Sequence, residues 1–263
     1  MVDEIPLTGG NVANGVVRIG ETVRKPPTPF DPAISALLKR FDEAGINGVP
    51  RCMGNDAQGR RVLSWVKGKT TFPEAMWTSQ ITIETAARRL RAIHDASLPL
   101  TKAEFDWAYK HPGPMNDPVI GHSDFAPYNM TFAKDGAVCG IFDFDLAGPA
   151  PRGRDLAYLA WWMVPLGRQD PRMAEATARD LATDSTRLKS LCTIYGLPAD
   201  VAFLEMIAEV LKHMRNQTAA ASMIGRNAAE KLAIDGHFDH WHRAAVDFQE
   251  LRPQISANLG RNG

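Results

Sequence analysis

The sequence predicts an α+β protein with two lobes, a small β-rich N-terminal lobe with one helix and a larger helical C-terminal lobe. Three observations predict this class. Strand-length apolar runs alternate with glycine-containing turns up to about residue 66, helical periodicity begins near residue 78, and polar residues interrupt the helical pattern around residue 121. We expect the lobes to span residues 1–67 and 68–263.

The N-terminal lobe is predicted to contain about five strands and one helix. Residues 7–25 fit a glycine-containing hairpin followed by a third strand, and "VPRCMGND" and "RRVLSWV" fit two more strands. Asp31 followed by Pro32 is typical of a helix start, with an N-cap acceptor and a proline at the first helical position. Apolar residues at helical spacing then continue up to "EAGING".

The C-terminal lobe is predicted to be mostly helical with a small β insert. An apolar stripe marks its first helix, and Lys134-Asp135-Gly136 supplies a turn between two short strands. The expected strands are 118–121, 129–134 and 137–144. The expected later helices are 155–164, 172–194, 200–224 and 237–250.

The composition excludes several functional classes. The formal net charge of the 263 residues is zero, so no basic excess favours nucleic-acid binding. Three widely spaced cysteines do not form a CxxC pattern, and the longest apolar stretch, "LAYLAWWMVPL", is too short to cross a bilayer. The acidic N-terminus lacks the apolar run of a signal peptide. We expect a cytoplasmic protein without nucleic-acid or membrane partners, as a monomer or weak homodimer.

Two polar segments carry the chemistry that the sequence predicts. "GHSDFAPYNMTF" and "GIFDFDLAG" place Asp124, Asn129 and Asp143 among apolar residues, where an unpaired carboxylate is costly. Phosphoryl transfer explains these residue types together, because it requires charge neutralisation by Mg²⁺ and a group that accepts a hydroxyl proton. Asn129 and Asp143 can supply the oxygens that Mg²⁺ prefers, which leaves Asp124 as the proton acceptor.

The motif resembles the aminoglycoside phosphotransferase family, which comprises protein-kinase-like small-molecule kinases. The resemblance covers about residues 7–165 and is carried by "HSDFAPYN", "IFDFDLAG", "RDLAYLAWW" and "LRAIHD". It implies a protein-kinase-like form of the two-lobed fold, ATP or GTP with Mg²⁺ as cofactors, and a small-molecule hydroxyl as the acceptor. It also implies that Asp124 is the catalytic base, that Asn129 and Asp143 bind the metal, and that His122 braces the loop.

Two further aspartates have more than one interpretation. Asp145 can belong to the metal shell or cap the turn that follows it. Asp155 precedes a helix, where an N-cap or a brace of the loop is favoured over a metal ligand.

The nucleotide phosphates are expected to meet the first hairpin and the third strand. Gly9, Gly10 and Asn11 lie in "GGNVANG", which can approach phosphates through backbone N–H groups but by itself reads as an ordinary turn. The third strand offers Arg24 and Lys25 as phosphate-binding cations. Alternate strand residues share a face, so Lys25 is preferred if Val23 lies beneath the adenine.

The sequence departs from the kinase pattern on the helix that follows this strand. The family resemblance implies a glutamate there that pairs with the lysine, but residues 33–36 read "AISA". Carboxylates occur only at the helix ends, at Asp31, Asp42 and Glu43. Either a terminal carboxylate substitutes for the glutamate or the cation is held differently.

The inter-lobe linker is expected to bind the adenine edge. Backbone groups of Ser64, Trp65 and Val66 are the candidates, and the Trp65 side chain is interpreted as packing rather than as a nucleotide contact.

The acceptor is expected to meet the helices after residue 160, where the sequence does not define a motif. Acidic side chains there fit either a polycation pocket or an ordinary helix surface. The histidines of "GHFDHWHRA" fit core or surface positions better than a zinc site, and Trp161-Trp162 fits the core better than a stacking platform. The acidic candidates are Glu205, Glu209, Asp235 and Asp239.

Three functions fit the sequence. The first is an O-kinase that acts on an antibiotic of the aminoglycoside type, and the second is a metabolic kinase for choline, homoserine, a sugar or a fructosamine. The third is a non-catalytic binding or immunity protein on the same scaffold, which the intact Asp124, Asn129 and Asp143 disfavour and the missing glutamate favours.

Overall fold

The computed structural model describes residues 4–7, 15–164, 166 and 181–261. It shows a β-sheet region followed by a helical region, which confirms the predicted two-lobed α+β class. The division at residue 67 stays a prediction.

The N-terminal sheet has five antiparallel strands in the order β1-β2-β3-β5-β4. The register of β3 and β5 places Lys25 directly opposite Arg61. Alternate residues of β3 face opposite sides, and the side chain of Lys25 is consequently buried towards the second lobe. The strands are β1 (Ile5–Pro6), β2 (Val17–Ile19), β3 (Thr22–Lys25), β4 (Cys52–Asn55) and β5 (Arg61–Ser64).

One helix, α1 (Asp31–Glu43), packs its apolar face into the core, as the periodicity predicts. Its start differs from the prediction, because Asp31 is the first helical residue and makes no capping bond. The Asp31 carboxylate instead accepts a hydrogen bond from Thr28 and lies 3.4 Å from Arg61.

The second lobe contains seven further α-helices within the described residues. Helix α2 is capped by Ser79, whose hydroxyl accepts from the Thr82 amide at 3.4 Å. Every residue of α3 from Arg154 to Met163 is buried, so this helix forms the centre of the lobe. The helices are α2 (Gln80–Ser97), α3 (Gly153–Met163), α4 (Leu181–Tyr195), α5 (Val201–Met214), α6 (Gln217–Ile224), α7 (Arg226–Ile234) and α8 (His237–Arg261).

The later helices depart from the predicted bounds. The predicted helix 200–224 is two helices, since the Asn216 side chain caps a new helix by accepting from the Ala219 amide. Helix α7 was not predicted, and α8 runs past residue 250 through Pro253. The predicted start of α4 lies outside the described residues.

Two small strand pairs position the polar segments. Strand β6 (Pro118–Gly121) pairs with β9 (Gly148–Pro151), and β7 (Met130–Phe132) pairs with β8 (Val138–Ile141). Strand β9 was not predicted, because its sequence "GPAP" contains two prolines that cannot donate to a ladder. Together the two pairs bring both ends of the segment 121–148 to one place. Among the described residues, no helix is long and apolar enough to cross a membrane.

Candidate functional site

A buried carboxylate fixes the loop that follows β6. Asp155, on the first turn of α3, is 1% exposed, and it accepts hydrogen bonds from the His122 amide at 2.6 Å and from the Ser123 amide at 3.1 Å. A Cβ atom at Gly121 would come within 2.9 Å of the same carboxylate, so the close approach requires glycine. This geometry corresponds to the loop-brace interpretation of Asp155.

Two partners keep Asp155 charged in this interior. His94 Nε2 lies 3.2 Å from its Oδ2, and Arg154 donates to its Oδ1 at 3.1 Å. Burial alone opposes the charged form, but the hydrogen bond from His94 and the charge of Arg154 hold the pKa of Asp155 well below its usual range. His94 belongs to "LRAIHD", and the sequence assigned no role to it.

His122 links the loop to the second polar segment. Its Nε2 donates to the Phe142 carbonyl at 2.9 Å, and its ring lies 4.6 Å from the ring of Phe144. Ser123 follows in the left-handed region at φ 66°, and its carbonyl accepts from Arg154. The contacts of His122 with Phe142 and Phe144 fit a bracing role for this residue.

Asp124 is half-buried, and both of its carboxylate oxygens accept hydrogen bonds. Tyr128 donates to Oδ1 at 2.5 Å, and the amide of Asn129 donates to Oδ2 at 2.9 Å. Burial raises the pKa of Asp124, while the hydrogen bonds from Tyr128 and Asn129 oppose that rise. The carboxylate is therefore oriented and has an increased proton affinity, as a general base requires.

The sequence did not reveal that Tyr128 contacts Asp124. Its side chain is 38% exposed, and its hydroxyl lies 2.9 Å from that of the buried Tyr158 on α3. Its ring packs edge-on against Trp162 at 5.3 Å. Tyr128 is part of the motif "HSDFAPYN", but its contacts with Tyr158 and Trp162 depend on how α3 packs against the loop.

The β7–β8 hairpin brings Asn129 and Asp143 together. Met130 pairs with Ile141, and the Phe142 amide donates to the Asn129 carbonyl at 3.0 Å. Asp143 adopts the left-handed conformation, with φ 68° and ψ 57°, which is uncommon for a residue other than glycine. Such outliers cluster at functional sites, where the surroundings fix them.

Lys25 reaches both aspartates of "FDFD" from the other lobe. Its ammonium group pairs with Asp143 Oδ1 and with Asp145 Oδ2, the latter at 2.7 Å. Burial alone would lower the pKa of Lys25, but the charges of Asp145 and Asp143 raise it above its usual range. Arg24 faces away, donates to Thr22 at 2.7 Å and lies 3.5 Å from Asp56.

Arg61 is a second cleft cation that the sequence did not identify. It is 1% exposed, donates to Asp145 Oδ1 at 2.5 Å and lies 3.4 Å from Asp31. At the positions of the missing glutamate, Ala33 and Ile34 are core residues. The strand alternation in "RRV" could have suggested that one of the two arginines points inward, but not what it meets.

Two of the three linker residues expected to bind adenine donate their backbone amides to carbonyl groups of the protein. The Ser64 amide donates to the Arg51 carbonyl at 3.0 Å, and the Trp65 amide donates to the Glu21 carbonyl at 2.9 Å. The guanidinium of Arg18 lies 4.1 Å above the Trp65 ring, which is a packing contact. Adenine recognition through Ser64, Trp65 and Val66 stays a prediction, as does the phosphate role of Gly9, Gly10 and Asn11, which lie outside the described residues.

Several of the acceptor-side candidates make contacts within the protein. Glu205 pairs with Arg252, and His237 accepts from the Trp241 indole at 3.0 Å. Trp161 and Trp162 are buried in the core. No group of three or more metal-binding side chains of the His, Cys, Asp or Glu type occurs in the part of the chain that the structure describes.

The comparisons with known proteins concern the family and the fold of the chain. Residues 82–191 match the model of the phosphotransferase enzyme family, APH. This match confirms the family predicted from the catalytic-loop motif. Over 176 residues the chain is 30% identical to the trifolitoxin immunity protein of Rhizobium leguminosarum bv. trifolii, and the match covers 65% of this chain. It spans 66% of that relative, just under two thirds of its length.

Solved structures of kinase-like proteins share the fold. A choline/ethanolamine kinase family protein from Mesorhizobium loti has a TM-score of 0.55 at 17% identity, over 99% of this chain and 91% of that one. The GDP complex of aminoglycoside 2'-phosphotransferase-IIIa has a TM-score of 0.54 at 12% identity, over 100% and 94%. At these identities the likeness establishes the protein-kinase-like fold alone.

Proposed function

We propose that the protein is a phosphotransferase that uses ATP or GTP with Mg²⁺ to phosphorylate a hydroxyl group of a small molecule. The observation that carries this proposal is the convergence of Asp124, Asn129 and Asp143 on one loop-and-hairpin unit. A buried lysine from the other lobe faces this unit. Phosphoryl transfer depends on positioning and charge neutralisation, which these residue types provide.

The residues present fit a magnesium ion. Asn129 uses its amide nitrogen on Asp124, which leaves its carbonyl oxygen for a cation. Asp143 contacts Lys25 through Oδ1 alone, which leaves Oδ2. Mg²⁺ prefers such oxygens and needs few of them from the protein. When bound, Mg²⁺ neutralises the charge that develops on the transferred phosphoryl group.

Asp124 accepts the proton of the acceptor hydroxyl in this proposal. Tyr128 and Asn129 each occupy one direction on a different carboxylate oxygen, and a carboxylate has about four such lone-pair sites. The remaining directions can receive an acceptor hydroxyl. Lys25 contacts the nucleotide phosphates, because its ammonium group lies at the metal-binding aspartate.

Two classes of small alcohol are candidates for the acceptor in this proposal. An aminoglycoside-type antibiotic is favoured by the family, in which kinases of that type occur. A metabolic alcohol such as choline, homoserine, a sugar or a fructosamine uses the same chemistry. The neutral chain does not favour a polycation.

A second candidate function is immunity against a toxic compound. The 30% identical relative is named as a trifolitoxin immunity protein, and this observation favours the candidate. Such a protein would bind the compound without transferring phosphate.

Turnover separates the two candidates. Purified protein would be incubated with Mg²⁺ and ATP or GTP and a panel of alcohols, sugars and antibiotics, with products detected by mass spectrometry. A phosphorylated acceptor and an equal amount of nucleoside diphosphate are expected. Tight binding of one panel member without any phosphorylated product would overturn the kinase and support the immunity function.

A further inference from the structure

We infer that Asp145, held by Arg61, anchors Lys25 in the place of the helix glutamate that this chain lacks. The inference rests on the proposed function, since it concerns the lysine that contacts the nucleotide phosphates. It assigns Asp145 and Arg61 as positioning residues and excludes Asp145 from the metal ligands.

The oxygens of the two aspartates are used differently. Asp145 accepts from Lys25 through Oδ2 and from Arg61 through Oδ1, so each of its oxygens holds a cation of the protein. Asp143 pairs with Lys25 through Oδ1 alone. Asp143 can therefore turn an unpaired oxygen to a metal ion, whereas a metal ion at either oxygen of Asp145 would share that oxygen with a like charge, Lys25 or Arg61.

The strand register explains why an anion is required at this position. Lys25 on β3 and Arg61 on β5 are directly opposite each other, and like charges in that relation destabilise a sheet. Both side chains are also buried, at 8% and 1% exposure. Buried charges need partners, and Asp145 bridges the two cations across the lobe boundary.

The remaining side-chain charges around Lys25 balance if Asp143 binds the metal ion. Lys25 and Arg61 then face Asp145 and Asp31, with two charges of each sign. Lys25 keeps a carboxylate partner at 2.7 Å and stays aimed at the phosphates. Arg61 also connects the first residue of α1 to the cleft, a link that a glutamate within the helix would otherwise make.

A double-mutant cycle on nucleotide binding tests this inference. The binding of Mg²⁺ with a nonhydrolysable ATP analogue would be measured by calorimetry for wild type, Asp145→Asn, Lys25→Met and the double variant. Outer-sphere partners typically contribute 10–100-fold, so Asp145→Asn should weaken binding by about that factor. In the Lys25→Met background the same change should have almost no further effect, because it acts through Lys25. An equal loss in both backgrounds would overturn the inference and make Asp145 a metal ligand.

A conservative pair of arginine variants supplies the matched control. Arg61→Lys keeps the charge but loses the forked geometry, and it should raise the KM for nucleotide more than it lowers kcat. Arg60→Lys changes the neighbouring arginine, which pairs with Glu4 and Asp56 away from the cleft, and should leave nucleotide binding unchanged. Equal effects of the two variants would contradict the inference.

The two proposals fail in different ways. If wild type binds Mg²⁺ and nucleotide but phosphorylates nothing, the proposed function fails while the binding cycle still decides the role of Asp145. If wild type is an active kinase and Asp145→Asn binds nucleotide normally, the inference alone fails. Thermal unfolding of each unliganded variant verifies that binding is compared between folded proteins.

Discussion

The two sides of the cleft are held by different kinds of interaction. The loop around Asp124 is fixed within one lobe by Asp155, which is fully buried and binds two backbone amides and His94. The side that we propose to meet the nucleotide phosphates is fixed between lobes by ion pairs from Lys25 and Arg61 to the "FDFD" aspartates. The first arrangement lies within one lobe, while in the proposed function the second exchanges one of its partners for a metal ion.

The largest expected effect is on turnover, from a change at the base. Asp124→Asn keeps the shape but removes the proton acceptor, and general bases typically contribute about 10²–10⁴-fold. The kcat should fall by about that factor, measured by release of nucleoside diphosphate with a responsive acceptor. Asp106→Asn, at an exposed aspartate that pairs with Lys110, is the control and should retain activity. A full-rate Asp124→Asn variant would contradict the assignment.

Loss of the loop brace should be the largest effect on stability. Asp155→Asn removes a charge that is paired and buried, and breaking such a pair typically costs about 3–5 kcal/mol. The free energy of unfolding in urea should fall by about that amount.

The same brace predicts an acid dependence. The folded-state pKa of Asp155 is depressed, so its stabilisation is present above the unfolded pKa of about 3.9 and is lost as the pH falls through the lower folded value. The Asp155→Asn variant should therefore lose less stability than wild type between neutral and strongly acidic pH. Equal slopes in the two proteins would argue against a charged Asp155.

Nucleotide affinity should distinguish the two cations of β3. Lys25→Ala removes a buried partner of two carboxylates, and truncation of such a pair typically costs about 2–5 kcal/mol in binding. Arg24→Ala removes a contact with Thr22 and Asp56 outside the cleft and should change the affinity little. If calorimetry gives the reverse order, Lys25 is not the phosphate-binding cation.

The smallest expected effect concerns the hydrogen bond to the base. Tyr128→Phe removes a donor to Asp124 Oδ1, and a hydrogen bond to a charged group typically contributes about 1.5–3 kcal/mol. A loss at the lower end would reduce kcat about 10-fold, since 1.4 kcal/mol corresponds to a factor of ten. Tyr158→Phe, which touches the base only through Tyr128, should have the smaller effect. Equal losses in both variants would place the contribution in packing instead.

The sequence predicted the parts of the site that depend on local order. The spacing of Asp124, Asn129 and Asp143 and the turn at Lys134-Asp135-Gly136 imply a hairpin, and the hairpin is present. Strand alternation also separated Lys25 from Arg24. These inferences need only the chain's own period and a short-range turn.

The contacts between distant segments could not be read in the same way. Whether Arg60 or Arg61 enters the cleft depends on the register of β5 against β3. Strand β9 is formed by a proline-containing segment whose pairing with β6 is visible only once the lobe is folded. Likewise, the roles of Tyr128 and His94 depend on α3, which lies beneath the loop.

The most direct test of the proposed division of the site is Mg²⁺-dependent nucleotide binding by two aspartate variants. Calorimetry with a nonhydrolysable ATP analogue, with and without Mg²⁺, would compare Asp124→Asn with Asp143→Asn. Asp124→Asn should bind nearly as well as wild type, because the base touches the acceptor rather than the metal. Asp143→Asn should lose the part of the affinity that Mg²⁺ provides, because it removes a charged ligand. Unchanged Mg²⁺ dependence in Asp143→Asn, or its loss in Asp124→Asn alone, would contradict the account.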